Sequence, residues 1–166
     1  LTALRAIPDL AVIRPADANE TAAAWKAALE ADPQPKALAL SRQNLPVLEG
    51  TKEKAIDGVA RGAYILVEAS TGTPDVILMG SGSEVQYAVE AAKVLEADGI
   101  ATRVVSMPSM DWFLQQDRSY IDEIISRDVL ARVSVEAGVA MPWFRFTGDQ
   151  GRNISLEHFG ASAPGA

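Results

Sequence analysis

The stretch Asp75-Val-Ile-Leu-Met79-Gly-Ser-Gly-Ser-Glu84 decides the fold class of this 166-residue chain. Asp75 is followed by a run of four apolar residues, and these first five positions predict a buried strand. A Gly-Ser-Gly-Ser turn follows directly, and then a segment with apolar residues at helical spacing that ends at Asp98-Gly99. A strand that passes through a tight turn into a helix is the repeating unit of α/β proteins. The residues expected on the inner face of this helix are Val85, Ala88, Val89, Ala92 and Leu95.

Strand-like and helical segments alternate on both sides of this unit. The strand candidates are 64–68, 101–107 and 131–137, and the helical ones are 112–116 and 120–126. This alternation predicts a three-layer α/β/α domain with a mostly parallel sheet. The stretch from Gly138 onward is predicted to be rich in loops. Its aromatic anchors are Trp143, Phe144 and Phe146.

A smaller unit precedes this domain. Residues 10–13 and 36–41 are predicted to be strands, and a helix over 18–31 separates them. Asp17 and Glu20 have the spacing of a helix-capping box. We therefore interpret 1–46 as a partial α/β unit of strand, helix and strand, 47–60 as a linker without periodicity, and 61–166 as the larger domain. The residues expected on the buried side of the first helix are Thr21, Trp25, Ala28 and Leu29.

Composition excludes several functional classes. A net charge of -7 argues against a surface for nucleic acid or anionic lipid. No apolar run approaches the roughly 18 residues that a membrane span needs. The absence of cysteine excludes disulfides and Cys-ligated zinc and favours a reducing cytoplasm. Because the chain begins at Leu1 and stops in a loop-like sequence, we expect a fragment cut at both ends, with amino-terminal processing as the alternative at the front.

The turn Gly80–Ser83 is the first candidate site. Free backbone N–H groups between a strand and a helix can bind a phosphate. The spacing fits neither the dinucleotide fingerprint nor the P-loop, however. A tight turn with a capping box between Ser81 and Glu84 is the favoured interpretation.

Arg42, in the segment Ser41-Arg-Gln-Asn44, is the second candidate. It follows a predicted buried strand, at the end of the sheet where α/β proteins bind ligands. Its guanidinium offers a forked, permanently charged set of donors for a phosphate or a carboxylate. An ordinary surface ion pair is the alternative, and chemistry alone does not decide between the two.

The remaining candidates are weaker. His158 is the only histidine, and it lacks the companions that a catalytic triad or a metal site requires. Glu136 lies near the end of a predicted buried strand, so its pKa could be perturbed and its role functional, although capping or solvation is the default. The same default applies to Glu68 and Glu84. The tryptophans, Trp25, Trp112 and Trp143, are interpreted as core or interface anchors.

Several segments resemble the transketolase family, and together they cover essentially the whole chain. The most specific are Ser-Arg-Gln-Asn-Leu at 41–45 and Ser-Met-Pro-Ser at 106–109. The first third resembles the end of the family's pyrimidine-binding domain, and the rest resembles its carboxyl-terminal domain. The matching segments are Leu10–Asp17, Asn19–Trp25, Ala37–Pro46, Gly80–Val85, Val104–Ser109 and Phe159–Pro164.

The resemblance implies a parent enzyme that moves a two-carbon ketol unit between sugar phosphates. That enzyme would use thiamin diphosphate and a divalent metal (Mg or Ca), and it would be a homodimer. The resemblance assigns Arg42 to the substrate's phosphate. It places no catalytic, cofactor-binding or metal-binding residue in this chain, so the fragment alone is expected to be inactive. The alternatives are a stand-alone α/β assembly or ligand-sensing module that uses the Gly80–Ser83 turn, and a fragment of another thiamin enzyme such as a deoxyxylulose-phosphate synthase.

Overall fold

A computed structural model describes residues 1–31 and 33–158, which form two sheets with their helices. The strands are β1 (Ala11–Ile13), β2 (Lys36–Leu38), β3 (Tyr64–Val67), β4 (Val76–Gly80), β5 (Thr102–Ser106), β6 (Arg132–Val135) and β7 (Arg152–Ile154). The helices are α1 (Thr2–Arg5), α2 (Ala18–Glu30), α3 (Thr51–Ala60), α4 (Val85–Ala97), α5 (Met110–Leu114), α6 (Arg118–Ile124) and α7 (Phe144–Thr147). Single 3₁₀ turns cover Gly82–Glu84 and Met141–Trp143.

The larger sheet has the strand order β3-β5-β4-β6-β7. Strand β3 is antiparallel to β5, and the other pairings are parallel. Alternate residues of β4 face opposite layers. Ile77 and Met79 pack with Phe113 of α5, whereas Leu78 packs with Ala88 of α4. The predicted mostly parallel sheet with helices on both faces is confirmed.

The smaller sheet pairs β1 and β2 in parallel, with α2 as the crossover. The prediction of which face of α2 is buried is wrong. Trp25 is 53% exposed and Leu29 81% exposed, while the buried face consists of Glu20, Ala23, Ala24 and Ala27. This face is packed against α3, and its small side chains allow a close approach of the two helices.

The segment 47–60, expected to be a linker without periodicity, contains the ten-residue helix α3. Its buried residues recur at helical spacing, but three of the four are small: Thr51, Ala55, Gly58 and Val59. Apolar periodicity is weak when the inward positions carry small or polar residues, which explains why the helix was missed. Asp17 joins α2 to the start of α3. Its carboxylate accepts bonds from the N–H of Glu20 and Leu48 and from the hydroxyl of Thr51.

The end of the chain also differs from expectation. Strand β7 was not predicted, because Arg-Asn-Ile at 152–154 is short, polar and mostly exposed. The anchors Trp143 and Phe146 are buried, but Phe144 is 59% exposed. The loop expected at 160–166 and the matching segment at 159–164 lie outside the described residues.

Candidate functional site

Arg42 lies in the loop that leaves the carboxyl end of β2, as the sequence predicts. Its side chain is exposed, and among residues 1–31 and 33–158 it makes no hydrogen bond or ion pair. The alternative interpretation was that Arg42 forms an ordinary surface ion pair, and no such ion pair is present in this part of the chain. A guanidinium that is not neutralised keeps its full charge for an incoming anion.

An open groove of about 550 Å³ lies beside the same loop. One wall is the first half of α2, including Thr21 and the exposed Trp25, and the other wall includes Gln43 and Asn44. These residues offer amide and hydroxyl groups for hydrogen bonds and an aromatic face for packing. Within the described residues, the loop therefore presents an exposed cation without an ion pair beside a groove whose walls are both polar and apolar.

The Gly80–Ser83 turn is filled by a side chain of the protein itself. Arg14, from the segment after β1, donates to the carbonyl of Ser81 and pairs with Glu84 at 2.5 Å. A side chain at position 82 would overlap the Arg14 guanidinium, and Gly82 has a positive φ of 61°. The turn thus holds an internal ion pair instead of a free anion site. This removes the observation on which the ligand-sensing alternative rested.

The expected capping box between Ser81 and Glu84 is not formed. Ser81 instead donates its hydroxyl to Glu136 at 2.5 Å. Glu84 accepts from the N–H of Ala137 at 3.0 Å and from the hydroxyl of Ser83. Both side chains are occupied with residues that follow β6, which local spacing cannot reveal.

Glu136 is the centre of this buried polar cluster. Arg5 of α1 binds both carboxylate oxygens, at 2.7 and 2.8 Å, and the indole N–H of Trp143 donates at 2.9 Å. Burial raises the pKa of Glu136, but the hydrogen bonds and charge of Arg5, with Ser81 and Trp143, outweigh it and lower the pKa below the ordinary value. Glu136 is therefore an ionised structural partner of Arg5. The sequence suggested an unusual pKa here but not the partner, 131 positions away.

A second buried carboxyl was not recognised from the sequence as a site. Glu20 is fully buried on α2 and accepts from the hydroxyls of Tyr64 at 2.7 Å and Ser106 at 2.5 Å. Its other oxygen accepts from the N–H of Ala16, so only the Asp17 half of the predicted capping box forms. Burial raises the pKa of Glu20, and burial with the neighbouring Glu20 carboxyl raises that of Tyr64. The only signal in the sequence was the spacing of Glu20 from Asp17, which indicated a helix cap.

The weaker candidates hold no reactive arrangement. His158 is exposed at the last described position, and its neighbour Glu157 accepts bonds from the N–H of Ala140 and the hydroxyl of Ser155. Glu68 pairs with Arg103 at 2.8 Å. Within 1–31 and 33–158, no three acidic or histidine side chains converge as metal ligands. None of the helices in these ranges has the length and apolar character to cross a membrane.

Two family models match the chain: the transketolase pyrimidine-binding domain over residues 1–47, and the transketolase-like C-terminal domain over residues 62–166. A transketolase from Halalkalibacterium halodurans is 53% identical over 165 residues, which are 99% of this chain and 25% of that protein. The chain thus spans about a quarter of the length of the relatives it matches.

Solved structures agree with this match. A transketolase from Pichia stipitis, crystallised in complex with sedoheptulose-7-phosphate, aligns with a TM-score of 0.86 and 40% identity over 97% of this chain and 22% of its own. A split-gene transketolase described as an inactive β4 tetramer aligns with a TM-score of 0.73 and 27% identity over 93% of this chain and 51% of its own. On the combined evidence of both domain models and of relatives about half identical throughout, the chain belongs to the transketolase family.

Proposed function

We propose that this chain is the carboxyl-terminal part of a transketolase whose parent enzyme transfers a two-carbon ketol unit between sugar phosphates. The observation that carries the proposal is continuous identity of 53% to a transketolase across almost the whole chain, with both domain models matched in order. Identity at that level over both units makes another thiamin enzyme, such as a deoxyxylulose-phosphate synthase, the weaker choice.

Within that enzyme, Arg42 is the residue of this chain that binds the phosphate of the sugar substrate. Its support is geometric and electrostatic: it follows the carboxyl end of a parallel strand, is exposed, and forms no ion pair with a carboxylate of the described ranges. The Pichia stipitis transketolase that aligns with this chain binds a sugar phosphate. A forked guanidinium suits such a group.

Thiamin diphosphate and a divalent metal belong to the parent and not to this chain. The described residues do not fit these groups, because no set of acidic or histidine side chains is placed to hold a metal, and Arg14 fills the glycine turn. We therefore derive no catalytic step from the residues present. Their contribution is the substrate-phosphate contact and the support of its loop.

The chain alone is proposed to be inactive, and the parent to be a cytoplasmic homodimer. The split-gene structure, which aligns with nearly all of this chain, is described as inactive. The large exposed side chains Trp25 and Leu29 leave an apolar face on α2 for the rest of the enzyme or a second copy. Absence of cysteine suits a reducing compartment.

A chimera tests this function. The corresponding segment of the Halalkalibacterium halodurans transketolase is replaced with this chain, and ketol transfer is assayed with and without thiamin diphosphate. We expect cofactor-dependent transfer by the chimera and none by the 166-residue chain. A chimera that folds and binds thiamin diphosphate but transfers no ketol unit would contradict the proposal, as would activity of the chain alone.

A further inference from the structure

Four arginines line one open pocket of about 600 Å³ in the larger domain: Arg118, Arg127, Arg132 and Arg145. The pocket lies at the amino-terminal edge of the sheet, where Arg132 begins β6 and the end of α6 meets Arg103 of β5. The cluster around Glu136 follows the carboxyl end of the same strand. Arg42 belongs to the smaller unit, so this pocket is separate from the proposed substrate contact.

The pocket carries more positive charge than its acidic neighbours neutralise. Asp122 is its one carboxylate, and it is shared by Arg118 at 3.0 Å and Arg127 at 2.9 Å. Arg145 is exposed on α7 and makes no hydrogen bond or ion pair within the described part of the chain. The lining therefore has an excess of three positive charges in a chain whose net charge is -7.

Arg132 is the fixed member of the group. Its guanidinium donates to the carbonyls of Val129 at 2.7 Å, Phe146 at 3.0 Å and Ser126 at 2.7 Å. Burial without a carboxylate partner lowers its pKa. Three of its five N–H groups are used, so one remains on each terminal nitrogen. The carbonyls hold this cation in place but leave its charge uncompensated.

Apart from Gln116, the rest of the lining is apolar. Ile121 and Ile125 come from α6 and the residue after it, Leu114 from α5, and Phe146 from α7. A site with an apolar side and convergent cations suits a ligand that has both an anionic group and an apolar body. An inorganic anion would contact the arginines but leave the apolar side of the pocket without a partner.

We propose that this pocket binds a small organic phosphate, a phosphate ester with an aromatic or aliphatic body. The phosphate is held by Arg145, Arg127 and the free N–H groups of Arg132, since a dianion can engage several guanidinium groups at once. Its body packs on the apolar side formed by α5, α6 and α7.

The test measures binding of phenyl phosphate to the full-length chimera by isothermal titration calorimetry, with inorganic phosphate and phenol as the partial ligands. We expect phenyl phosphate to bind more tightly than either. Arg145→Ala removes a charged contact without disturbing a bond of the fold, so it should weaken binding roughly tenfold. Arg152→Ala, an exposed arginine on β7 outside the pocket, is the matched control and should change nothing.

Three results would overturn the proposal. The first is that phenyl phosphate does not bind at millimolar concentration. The second is that Arg145→Ala and Arg152→Ala lower the affinity for phenyl phosphate equally. The third is that Arg42→Ala abolishes binding of phenyl phosphate while Arg145→Ala leaves it intact. The last result would place the anion at the substrate contact instead. Ketol transfer by the chimera is measured in parallel. The effect of Arg42→Ala on ketol transfer tests the proposed substrate contact, and it does not depend on whether Arg145→Ala weakens binding of phenyl phosphate.

Discussion

At the scale of single residues, several buried ion pairs and hydrogen bonds join positions that are far apart in sequence. Arg5 and Glu136 are both buried, with side-chain exposures of 5% and 1%, and their two hydrogen bonds tie α1 to the residue after β6. A buried ion pair of this kind adds little to the free energy of unfolding compared with a well-packed apolar pair of similar volume. Removal of one partner, however, leaves the other charge buried without compensation.

We expect Arg5→Ala to lower the free energy of unfolding by about 3–5 kcal/mol, because Glu136 would remain buried without its cation. Urea unfolding at neutral pH measures the difference. Arg152→Ala is the control, an exposed arginine whose loss should cost less than about 0.5 kcal/mol. An Arg5→Ala loss as small as that of the control would show that the pair is solvated.

Glu20 gives the chain a pH dependence of definite sign. Burial raises its pKa above the ordinary value of 4.5, so the folded state retains a proton that the unfolded chain releases. Its contribution to stability is complete below the ordinary pKa and is lost as the pH rises through the folded pKa. Glu136, whose pKa is lowered, acts in the opposite direction and only at more acidic pH.

We therefore expect the free energy of unfolding to fall as the pH rises above the ordinary pKa of Glu20, and Glu20→Gln to flatten that decline. Urea titrations at several pH values measure it. An equal slope in the wild-type chain and in Glu20→Gln would show that another group is responsible.

The loop position of Arg42 can be predicted from the sequence, whereas the buried contacts of Arg5 and Arg14 cannot, for one physical reason. The position of Arg42 depends on local features, a short apolar strand and the loop that follows it. The roles of Arg5 and Arg14 depend on partners 131 and 67 positions away, and no local pattern encodes such a pairing.

At the scale of elements, the contact between α2 and α3 is made by small residues. Ala23, Ala24 and Ala27 of α2 share a buried cluster with Ala55 and Val59 of α3. Larger residues of α2 such as Trp25 lie outside this contact and are exposed. The sequence predicted α4 well, where Val85, Ala88 and Ala92 mark the buried face, and failed at α3, where that face is made of small residues.

Gly58 shows how tight this region is. A Cβ at this position of α3 would overlap the ring of Tyr64 on β3. Replacing a helical glycine by alanine usually stabilises a protein by about 0.5–1 kcal/mol. Here we expect Gly58→Ala to destabilise it by about 1–3 kcal/mol, because the overlap forces the packing apart.

Thermal unfolding of Gly58→Ala and of Ile56→Ala, on the exposed side of the same helix, makes the comparison. The Ile56 variant should remain close to the wild-type melting temperature. A rise in melting temperature for Gly58→Ala would mean that α3 and β3 are separated by more space than the structure gives.

At the scale of the whole molecule, the carboxyl edge of the larger sheet serves as a docking surface for the first unit. Arg5 and Arg14 enter there and neutralise Glu136 and Glu84. Open α/β sheets commonly bind ligands at that edge. Here the carboxylates of Glu136 and Glu84 are instead paired with arginines of the same chain. Arg42 of the first unit lies beyond the end of that unit's own sheet, where it is exposed and forms no ion pair within the described ranges.

In the proposed function, Arg42 is the residue through which this part of the molecule contacts the substrate's phosphate. We expect Arg42→Ala in the chimera to raise KM for a phosphorylated sugar by roughly tenfold or more, as befits a lost charge-assisted contact of about 1.5–3 kcal/mol. Affinity for thiamin diphosphate should be unchanged. Arg152→Ala is the matched control, because it also removes one exposed arginine, and it should leave KM unchanged.

The most direct measurement compares KM for fructose-6-phosphate and for fructose in the chimera and in its Arg42→Ala variant. If Arg42 binds the phosphate, the substitution raises KM for the phosphorylated sugar and leaves that for the free sugar unchanged. Equal KM values for fructose-6-phosphate in the two proteins would contradict the assignment.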